Sequence, residues 1–317
     1  MKVLSLFDGI SCGRVALERA GIPVEVYYSS EIDKYTIAVA QAMYPDTVQI
    51  GDVCQIDFTD YIGKVDMIIG GSPCQDLSIA KQNREGLHGE RSRLFWEYIK
   101  ALSIVKPKYF LLENVASMRD EDRDAITSVL RDIYPETECI MINSALVSAQ
   151  QRKRYYWTNW HVEQPEDKGI VLLDVLDTTV ADRDKSRTII SSIGRTTERE
   201  YFRKSQGQLA FEPIRLGTLP GLGTGQANRI YSVYGKSVCL NALGGGGGAK
   251  TGLYKIDLPD GDYTIRKLTP RECARLQTYP ERCFDVANIS NAQWYKAFGN
   301  GWTVDVIAHI FKQIPKN

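Results

Sequence analysis

Over residues 1–160, short apolar runs rich in Val, Ile and Tyr alternate with segments whose apolar residues fall on one helical face. The runs cover residues 2–7, 24–32, 65–71, 109–115 and 138–146. The helical faces consist of Leu94, Phe95, Tyr98, Ile99 and Leu102, and then of Ile126, Val129, Leu130 and Ile133. This alternation predicts an α/β fold with a mostly parallel, doubly wound sheet that has helices on both sides.

Residues 161–262 are polar and rich in glycine, which predicts a second, small and irregular β-rich domain of loops and short strands. The run from Gly244 to Gly248 is typical of a flexible linker and also of backbone that approaches a ligand closely, so both interpretations stay open. Residues 263–317 are expected to return to the first domain, because the apolar residues of a last helix are again in phase. These residues are Val304, Ile307, Ile310, Phe311 and Ile314.

The charges of the chain balance, with 39 Lys and Arg residues against 39 Asp and Glu residues. Binding to nucleic acid would then depend on local clusters of charge and not on a global field. Basic residues outnumber acidic ones between residues 183 and 204. The predicted second domain therefore carries the candidate surface for a polyanion.

The seven cysteines contain no C-x-x-C pair, so neither a disulfide framework nor a zinc site is indicated, and we expect no metal. Free thiols favour a reducing, cytoplasmic location. The opening apolar segment ends at Asp8, which makes it too short for a signal peptide, and no apolar run is as long as a membrane span. We therefore expect a soluble protein that does not contact membranes.

The first strand runs into Phe7, Asp8, Gly9, Ile10 and Ser11, and a helix follows. Glycine at a strand-to-helix turn lets a ligand lie against the backbone at the carboxyl edge of a parallel sheet. A simple tight turn has the same pattern, so this motif alone predicts little.

The ends of the next two strands indicate a cofactor that contains adenosine. Glu31 ends the second strand, where a carboxylate can accept both hydroxyls of a ribose. Asp52 ends the third strand, where it can meet the amino group of an adenine. The first turn lacks the second glycine of G-x-G-x-x-G and carries Asp8, which favours a cofactor without a pyrophosphate.

The strand over residues 65–71 runs directly into Ser72, Pro73 and Cys74, which places a thiol at the ligand-binding edge of the sheet. Pro73 has a fixed φ and so restricts the turn that presents Cys74. Most cysteines are buried structural residues, but Cys74 has polar neighbours in the sequence. We interpret Cys74 as a thiolate nucleophile.

The fifth strand ends in Glu113 and Asn114, at the same edge as the candidate nucleophile. A carboxyl group there can protonate or hydrogen-bond a ring nitrogen, whereas capping a helix is the alternative role, for Asn114 above all. A basic and aromatic strand follows, in which Arg152 and Arg154 would share one face. They would hold a substrate base or its phosphates, with the aromatic side chains on the other face; a solvated basic edge is the alternative.

Taken in order, these residues resemble the DNA (cytosine-5) methyltransferase family, and the resemblance spans nearly the whole chain. The first four matching motifs are Phe7-x-Gly9, Gly71-Ser72-Pro73-Cys74-Gln75, Glu113-Asn114-Val115 and Gln150-x-Arg152-x-Arg154. The last two are the segment from Arg266 to Glu272 and Gly299-Asn300-Gly301. Six motifs in the family's order argue strongly against a chance match.

The resemblance implies an S-adenosylmethionine-dependent methyltransferase (Rossmann-like) fold, with a target-recognition domain over residues 161–262. It implies S-adenosylmethionine as the cofactor, S-adenosylhomocysteine as its product and double-stranded DNA as the substrate. The catalytic residues would be Cys74, Glu113, Asn114, Arg152 and Arg154. The cofactor would be bound by Phe7, Asp8, Gly9, Ile10, Ser11, Glu31, Ile32, Asp52, Val53, Pro73, Leu94, Asn300, Gly301 and Trp302.

The resemblance also implies a mechanism. Cys74 would add to carbon 6 of a flipped-out cytosine while Glu113 engages the ring nitrogen, and carbon 5 would then accept the methyl group. Loss of the carbon 5 proton would expel Cys74. Asn114, Arg152 and Arg154 would line the cleft that holds the flipped base.

Within the family, the front half is most similar to the animal de novo branch, whereas the bare catalytic size is typical of a bacterial or phage enzyme that acts as a monomer. Two residues depart from the commoner bacterial pattern: Ser11 stands where a second glycine is usual, and Ser72 replaces a proline. Trp302 replaces a small residue and is expected to cover the cofactor.

Three rival functions fit part of the pattern. A nicotinamide-dependent oxidoreductase explains the sheet but not the nucleophile, the acid and the arginines together. A tRNA cytosine methyltransferase of the same family would carry Cys-Phe-Thr, whereas Cys283-Phe284 is followed by Asp285. A non-catalytic DNA-binding paralogue is disfavoured because the catalytic set is present.

Overall fold

The computed structural model describes residues 1–72, 93–170, 172–177, 186–187, 215–218, 229–232, 253–257, 263–266 and 268–315. The strands are β1 Lys2–Leu6, β2 Val26–Ser30, β3 Val48–Gln49, β4 Met67–Gly70, β5 Tyr109–Val115, β6 Glu138–Asn143, β7 Gln150–Gln151, β8 Lys153–Thr158, β9 Ser186–Arg187, β10 Arg215–Thr218, β11 Arg229–Ser232, β12 Leu253–Asp257 and β13 Tyr263–Arg266. The helices are α1 Cys12–Ala20, α2 Lys34–Met43, α3 Arg93–Val105, α4 Asp120–Ile133, α5 Pro270–Leu276, α6 Cys283–Val286, α7 Asn291–Asn300 and α8 Val304–Lys312.

Seven strands form the main sheet, in the order β3, β2, β1, β4, β5, β8, β6. The first five strands along the chain pair in parallel with one another. Only β8 breaks this pattern within the sheet, because it runs antiparallel to both β5 and β6. The mostly parallel sheet predicted from the sequence is confirmed.

Helices cover both faces of this sheet, because successive residues of a buried strand point to opposite sides. Val3 and Leu111 lie in a buried cluster that includes residues of α1 and α8. Their chain neighbours Leu4 and Leu112 lie in a second buried cluster, with residues of α3 and α4. The doubly wound arrangement is therefore confirmed as well.

The aromatic residues of β8 do not share one face, which corrects the prediction made for this strand. Tyr156 lies in the cluster that contains α1, whereas Trp157 lies in the cluster with α3 and α4. Tyr156 is thus on the same side of the strand as Arg154, two residues earlier. The physical reason is that β8 lies inside the sheet, between β5 and β6, so both of its faces are buried.

The last helix packs against the first one. Val306 and Ile310 of α8 lie in the same buried cluster as Val15 of α1. At the surface, Arg19 of α1 forms an ion pair with Asp305 of α8, with an N–O distance of 2.6 Å. The last helix therefore packs in the same apolar cluster as the first helix.

The segment that ends in Glu272 has a local structural role. Thr269 and Glu272 form a capping box at the start of α5, with Pro270 in the first turn.

Earlier in the chain, β10, β11, β12 and β13 form a second sheet in that order. The domain boundaries after residues 160 and 262 remain predictions. Within the described part of the chain, no helix is long and apolar enough to cross a membrane.

Candidate active site

Four neighbouring parallel strands are in register at the carboxyl edge of the main sheet, where β1, β2 and β4 end and β5 continues to Val115. Leu6 of β1 is paired with Ser30 of β2 and with Gly70 of β4. Gly70 is in turn paired with Leu112 of β5. The residues that come next are Phe7, Glu31, Gly71 and Glu113. They therefore stand at one level of the edge where open α/β sheets bind ligands.

The turn between β1 and α1 has a left-handed backbone at three positions. Phe7, Gly9 and Ser11 have φ values of 60°, 60° and 57°. A residue other than glycine costs roughly 1–2 kcal/mol in this conformation, so Phe7 and Ser11 store strain. The left-handed backbone at Ser11 gives a physical reason for the glycine that is usual at this place. Strain of this kind indicates a turn whose shape is needed for function.

Asp8 points into the protein and is only 8% exposed. Its carboxylate accepts hydrogen bonds from the hydroxyl groups of Ser5, Ser11, Tyr27 and Ser29, at 2.5–2.8 Å. Burial raises the pKa of Asp8, and these hydroxyl groups offset the rise only in part. The Asp8 side chain therefore stabilises the strained turn from the protein interior. A ligand would contact the backbone of the turn and not this side chain.

Glu31 connects the first turn to the second. One carboxylate oxygen accepts a hydrogen bond from the backbone N–H of Gly9 at 2.8 Å, and the other accepts from the N–H groups of Ile32 and Asp33 at 2.8 and 2.9 Å. Lys296 of α7 fixes Asp33 by an ion pair. Ile32 is 74% exposed, which is unusual for a large apolar side chain and leaves it available to a ligand.

The turn after β3 also combines a left-handed residue with a carboxylate that accepts a backbone hydrogen bond. Gly51 has a φ of 77°, and the side chain of Asp52 accepts a hydrogen bond from the N–H of Cys54 at 2.9 Å. Val53 is buried in the cluster with α3 and α4, against which Phe7 and Leu94 also pack. Three of the residues predicted to bind a cofactor thus belong to, or pack against, the same apolar cluster. Ile10 belongs to the cluster on the other face of the sheet.

Glu113 is 8% exposed, and both of its carboxylate oxygens have a partner. Oε1 lies 2.9 Å from Nε of Arg154, which the antiparallel strand β8 places beside the end of β5. Oε2 accepts a hydrogen bond from the indole N–H of Trp302 at 3.1 Å. The candidate acid is therefore oriented by an arginine and by a tryptophan from opposite parts of the sequence. The partnership with Trp302 had no signal in the sequence.

Arg152 lies at the turn between α7 and α8. Its Nη2 donates to the carbonyl oxygen of Gly301 at 3.0 Å, and it is 4% exposed. The same carbonyl oxygen accepts from the side chain of Gln277 at 3.3 Å. Gln277 also accepts from the hydroxyl group of Thr303 at 2.8 Å and from the amide of Gln150 at 3.3 Å. Sequence reasoning missed Gln277, because a single polar residue at a helix end carries no pattern.

Of the remaining predicted residues, the structure describes Asn114 and Asn300 but not Pro73 and Cys74. Asn114 is 2% exposed, and its side-chain oxygen accepts from the N–H of Val115 at 2.7 Å. Asn300 is exposed at the end of α7. Pro73 and Cys74 lie outside the described residues, directly after the buried Ser72.

Four cysteines of the described chain are unsuited to act as nucleophiles. Burial raises the pKa of Cys12, Cys139 and Cys283 to about 12, and that of Cys273 well above its usual value. A thiol with so high a pKa keeps its proton at neutral pH, whereas the thiolate is the reactive form. In the same part of the chain, no group of three or more His, Cys, Asp or Glu residues is arranged to hold a metal ion.

Comparison with known sequences gives matches over the whole chain. A sequence profile for the family described as "C-5 cytosine-specific DNA methylase" matches residues 1–316. The type II methyltransferase M.HhaI of Haemophilus parahaemolyticus is 29% identical over 325 residues, which cover 98% of this chain and 93% of the relative. The type II methyltransferase M.NlaX of Neisseria lactamica is 30% identical over 325 residues, which cover 99% of this chain and 96% of the relative.

Solved structures with a similar fold include two Dnmt2 proteins. The Dnmt2 methyltransferase of S. pombe has a TM-score of 0.65 and 20% identity, covering 98% of this chain and 97% of its own. A Dnmt2 variant from Spodoptera frugiperda has a TM-score of 0.65 and 18% identity, covering 98% of both chains. At such identities the likeness concerns the fold, and it confirms the methyltransferase-type architecture that the sequence predicts.

Asp8→Asn tests the buried carboxylate by removing its ionisable group with little change of shape. Because burial raises its pKa, the folded protein holds the Asp8 proton more tightly than the unfolded chain, whose carboxyl has the ordinary pKa of 3.8. The stability contributed by this group is fully present below that pH and is lost as the pH rises through the folded-state pKa. As the pH rises above about 4, the free energy of unfolding of the wild type should therefore fall relative to that of Asp8→Asn. Urea denaturation at several pH values measures this difference.

Asp305→Asn is the control with the opposite sign. Burial alone would raise the pKa of Asp305, but hydrogen bonds from Lys168 and Arg19 outweigh burial and lower it. As the pH rises between about 3 and 5, the wild type should therefore gain stability relative to Asp305→Asn. A difference between Asp8→Asn and the wild type that does not change with pH would contradict the assignment of Asp8.

Proposed function

Because the chain belongs to the C-5 cytosine-specific DNA methylase family, we propose that it methylates carbon 5 of cytosine in double-stranded DNA through a covalent bond to Cys74. The observation that carries this proposal is the line of Phe7, Glu31, Gly71 and Glu113 along one edge of the sheet. A cofactor turn, a ribose-binding carboxylate, the start of the nucleophile motif and the acid thus lie at one level on neighbouring strands.

S-adenosylmethionine is the cofactor that suits these residues, and S-adenosylhomocysteine is its product. Glu31 offers a carboxylate beside the N–H of Gly9, where ribose hydroxyl groups can be accepted. Asp52 lies at the next strand end, where an adenine amino group can be recognised, and exposed Ile32 offers an apolar surface for the base. When bound, S-adenosylmethionine supplies the methyl group.

Cys74 is the nucleophile in this proposal. Chain connectivity keeps its Cα within about 7 Å of the Cα of Ser72, which is buried at the end of β4. The thiolate adds to carbon 6 of the cytosine, and electrons of the ring move toward nitrogen 3 and carbon 5. After carbon 5 is methylated, a base such as water takes its proton, the electrons of that C–H bond restore the double bond between carbons 5 and 6, and Cys74 leaves as a thiolate.

Glu113 holds nitrogen 3 during this addition, so that negative charge does not build up on the ring. The ion pair with Arg154 fixes one oxygen of the carboxylate for this task. Asn114 and Arg154 line the cleft for the flipped base. Arg152 contributes by holding the carbonyl group of Gly301 and with it the turn that carries Trp302.

Base flipping requires a cleft that receives the extruded base, which here would lie between two domains. We infer that residues 1–160 form the catalytic domain, residues 161–262 form the target-recognition domain and residues 263–317 connect and return to the first. The enzyme acts as a monomer in the cytoplasm of a bacterial or phage-infected cell, as a modification methyltransferase of the restriction-modification type. The similarity of its front half to the animal de novo branch stays a prediction.

Cys74→Ser should abolish methylation and leave cofactor affinity nearly unchanged, because a hydroxyl group is a far weaker nucleophile. The wild type should form a covalent adduct with duplex DNA that carries 5-fluorocytosine, since fluorine at carbon 5 blocks the last elimination. Denaturing gel electrophoresis measures the adduct, with tRNA as a second substrate. Adduct formation by Cys74→Ser at the wild-type level would assign the nucleophile to another residue, and methylation of tRNA alone would overturn the proposed substrate.

Glu31→Ala should weaken S-adenosylmethionine binding by roughly 1.5–3 kcal/mol, the cost of losing hydrogen bonds to a charged group. Its effect on DNA affinity should be small. Glu25→Ala is the matched control, because this exposed carboxylate precedes β2, at the opposite edge of the sheet. Calorimetry measures both affinities, and an unchanged cofactor affinity in Glu31→Ala would remove Glu31 from the pocket.

The basic segment of the proposed target-recognition domain is tested by neutralising Arg195, Arg199 and Arg203 together. These positions lie outside the described residues, and the prediction depends on the excess of basic residues between 183 and 204. DNA binding should weaken, and the slope of log K against log salt should fall by about one for each DNA phosphate that the variant no longer neutralises.

The control replaces Lys64, Lys106 and Lys108 by glutamine, because these exposed lysines precede β4 and β5, at the amino edge of the sheet. DNA affinity and salt slope should remain those of the wild type in this control. The arginine variant behaving in the same way would identify its segment as ordinary solvated surface. Sequence selectivity would then be sought between residues 217 and 248.

A further inference from the structure

Trp302 contacts the candidate acid directly. Its indole N–H donates to Oε2 of Glu113 at 3.1 Å, while Oε1 of the same carboxylate lies 2.9 Å from Nε of Arg154. An indole nitrogen is a donor only, and the arginine is a donor only as well. Two lone pairs of the carboxyl group, one on each oxygen, are thus directed at fixed donors, which leaves the other lone pairs for a proton or a ring nitrogen.

The backbone that carries Trp302 is held from two sides. The carbonyl oxygen of Gly301 accepts hydrogen bonds from Arg152 at 3.0 Å and from Gln277 at 3.3 Å. The hydroxyl group of Thr303, the residue after Trp302, donates to the side-chain oxygen of Gln277 at 2.8 Å. These bonds are buried or partly buried, so the turn before α8 has little freedom to move the ring.

A glycine makes room for the indole ring. A Cβ atom at Gly71 would lie 2.9 Å from Nε1 of Trp302 and 2.7 Å from Oε2 of Glu113, closer than such contacts allow. The start of the nucleophile motif, the acid and the C-terminal turn therefore meet at one point, and the meeting requires glycine at position 71.

We propose that Trp302 is a positioning residue for Glu113, which fixes the rotation of the carboxylate before the cytosine arrives. The last torsion of a glutamate side chain is broad, so a single donor leaves the carboxylate plane poorly defined. A second donor on the other oxygen defines it, and an acid placed in advance needs no reorganisation during the reaction. This inference depends on the proposed function, in which Glu113 engages the ring nitrogen. It assigns Trp302 a task separate from covering the cofactor.

Trp302→Phe removes the N–H and keeps an aromatic ring. At saturating cofactor, the rate of adduct formation on 5-fluorocytosine DNA should fall about tenfold, the size expected when a transition-state interaction of one hydrogen bond is removed. The dissociation constant for S-adenosylmethionine should change less than about twofold. Trp160→Phe is the matched control, because it removes a buried indole N–H that donates to the carbonyl oxygen of Ile310. The Trp160 ring contacts Tyr109, which begins β5, so it lies toward the opposite edge of the sheet from Glu113. Both quantities should remain at the wild-type level in this control.

A double-mutant cycle with Glu113→Gln shows whether the effect passes through the acid. In the Glu113→Gln background, Trp302→Phe should slow adduct formation by less than about twofold, because the partner carboxylate is already absent. An equal effect in both backgrounds would overturn the positioning role, as would a loss of cofactor affinity with an unchanged adduct rate. A wild-type adduct rate in Glu113→Gln alone would instead remove the acid role on which the inference depends.

Gly71→Ala tests the same contact with the indole ring intact, which keeps the proposal testable if Trp302→Phe folds poorly. The added methyl group should separate Trp302 from Glu113 and slow adduct formation in the wild-type background. Its effect should be smaller when it is combined with Trp302→Phe, because the methyl group then disturbs Glu113 alone. Full additivity of the two variants would show that the contact at Gly71 does not act through the indole, and would contradict the proposal.

Discussion

The register of β1, β2, β4 and β5 is the constraint on which the site depends. Parallel pairing of Leu6 with Ser30 and Gly70, and of Gly70 with Leu112, places these four residues at one level; β1, β2 and β4 end there and β5 continues to Val115. A slip of one residue in any of these pairs would turn its side chains to the other face of the sheet and into the wrong cluster. The two apolar clusters therefore hold the register, and the register brings the polar strand ends together.

Hydrogen bonds of carboxylate side chains then fix the backbone of the turns that follow these strands. The carboxylate of Asp8 accepts hydrogen bonds from four hydroxyl groups at the turn after β1. Glu31, which follows β2, accepts a hydrogen bond from the backbone of the same turn. Phe7 and Ser11 hold a left-handed backbone that neither residue prefers. The many bonds around Asp8 oppose the relaxation of this strain, because a buried carboxylate that loses its partners is costly.

The C-terminal segment completes the site from the other end of the chain. α8 packs on α1, so the turn before it reaches the ends of β1 and β4. Trp302 then meets Glu113 at the point where Gly71 leaves room for both. The acid of the proposed reaction is thus oriented jointly by Arg154 from a neighbouring strand and by Trp302 from a segment 189 residues away.

Several features of this protein follow from its sequence alone. The strands and helices of residues 1–160, the doubly wound sheet and the polar residues at strand ends are encoded in local periodicity, because burial on one or two faces fixes the spacing of apolar residues. Parallel strands end at a common edge, so Glu31, Asp52 and Glu113 could be predicted to lie along that edge before their neighbours were known. The order of the motifs was enough to predict the family.

Other features were decided only by the tertiary structure. The position of β8 inside the sheet buries both of its faces, so Tyr156 shares a side with Arg154 in spite of the alternation read from the sequence. The contact of Trp302 with Glu113, and the buried bonds of Gln277, join residues that no local pattern relates. Local periodicity reports which face of an element is buried, whereas the partner of a polar side chain depends on how distant segments pack against each other.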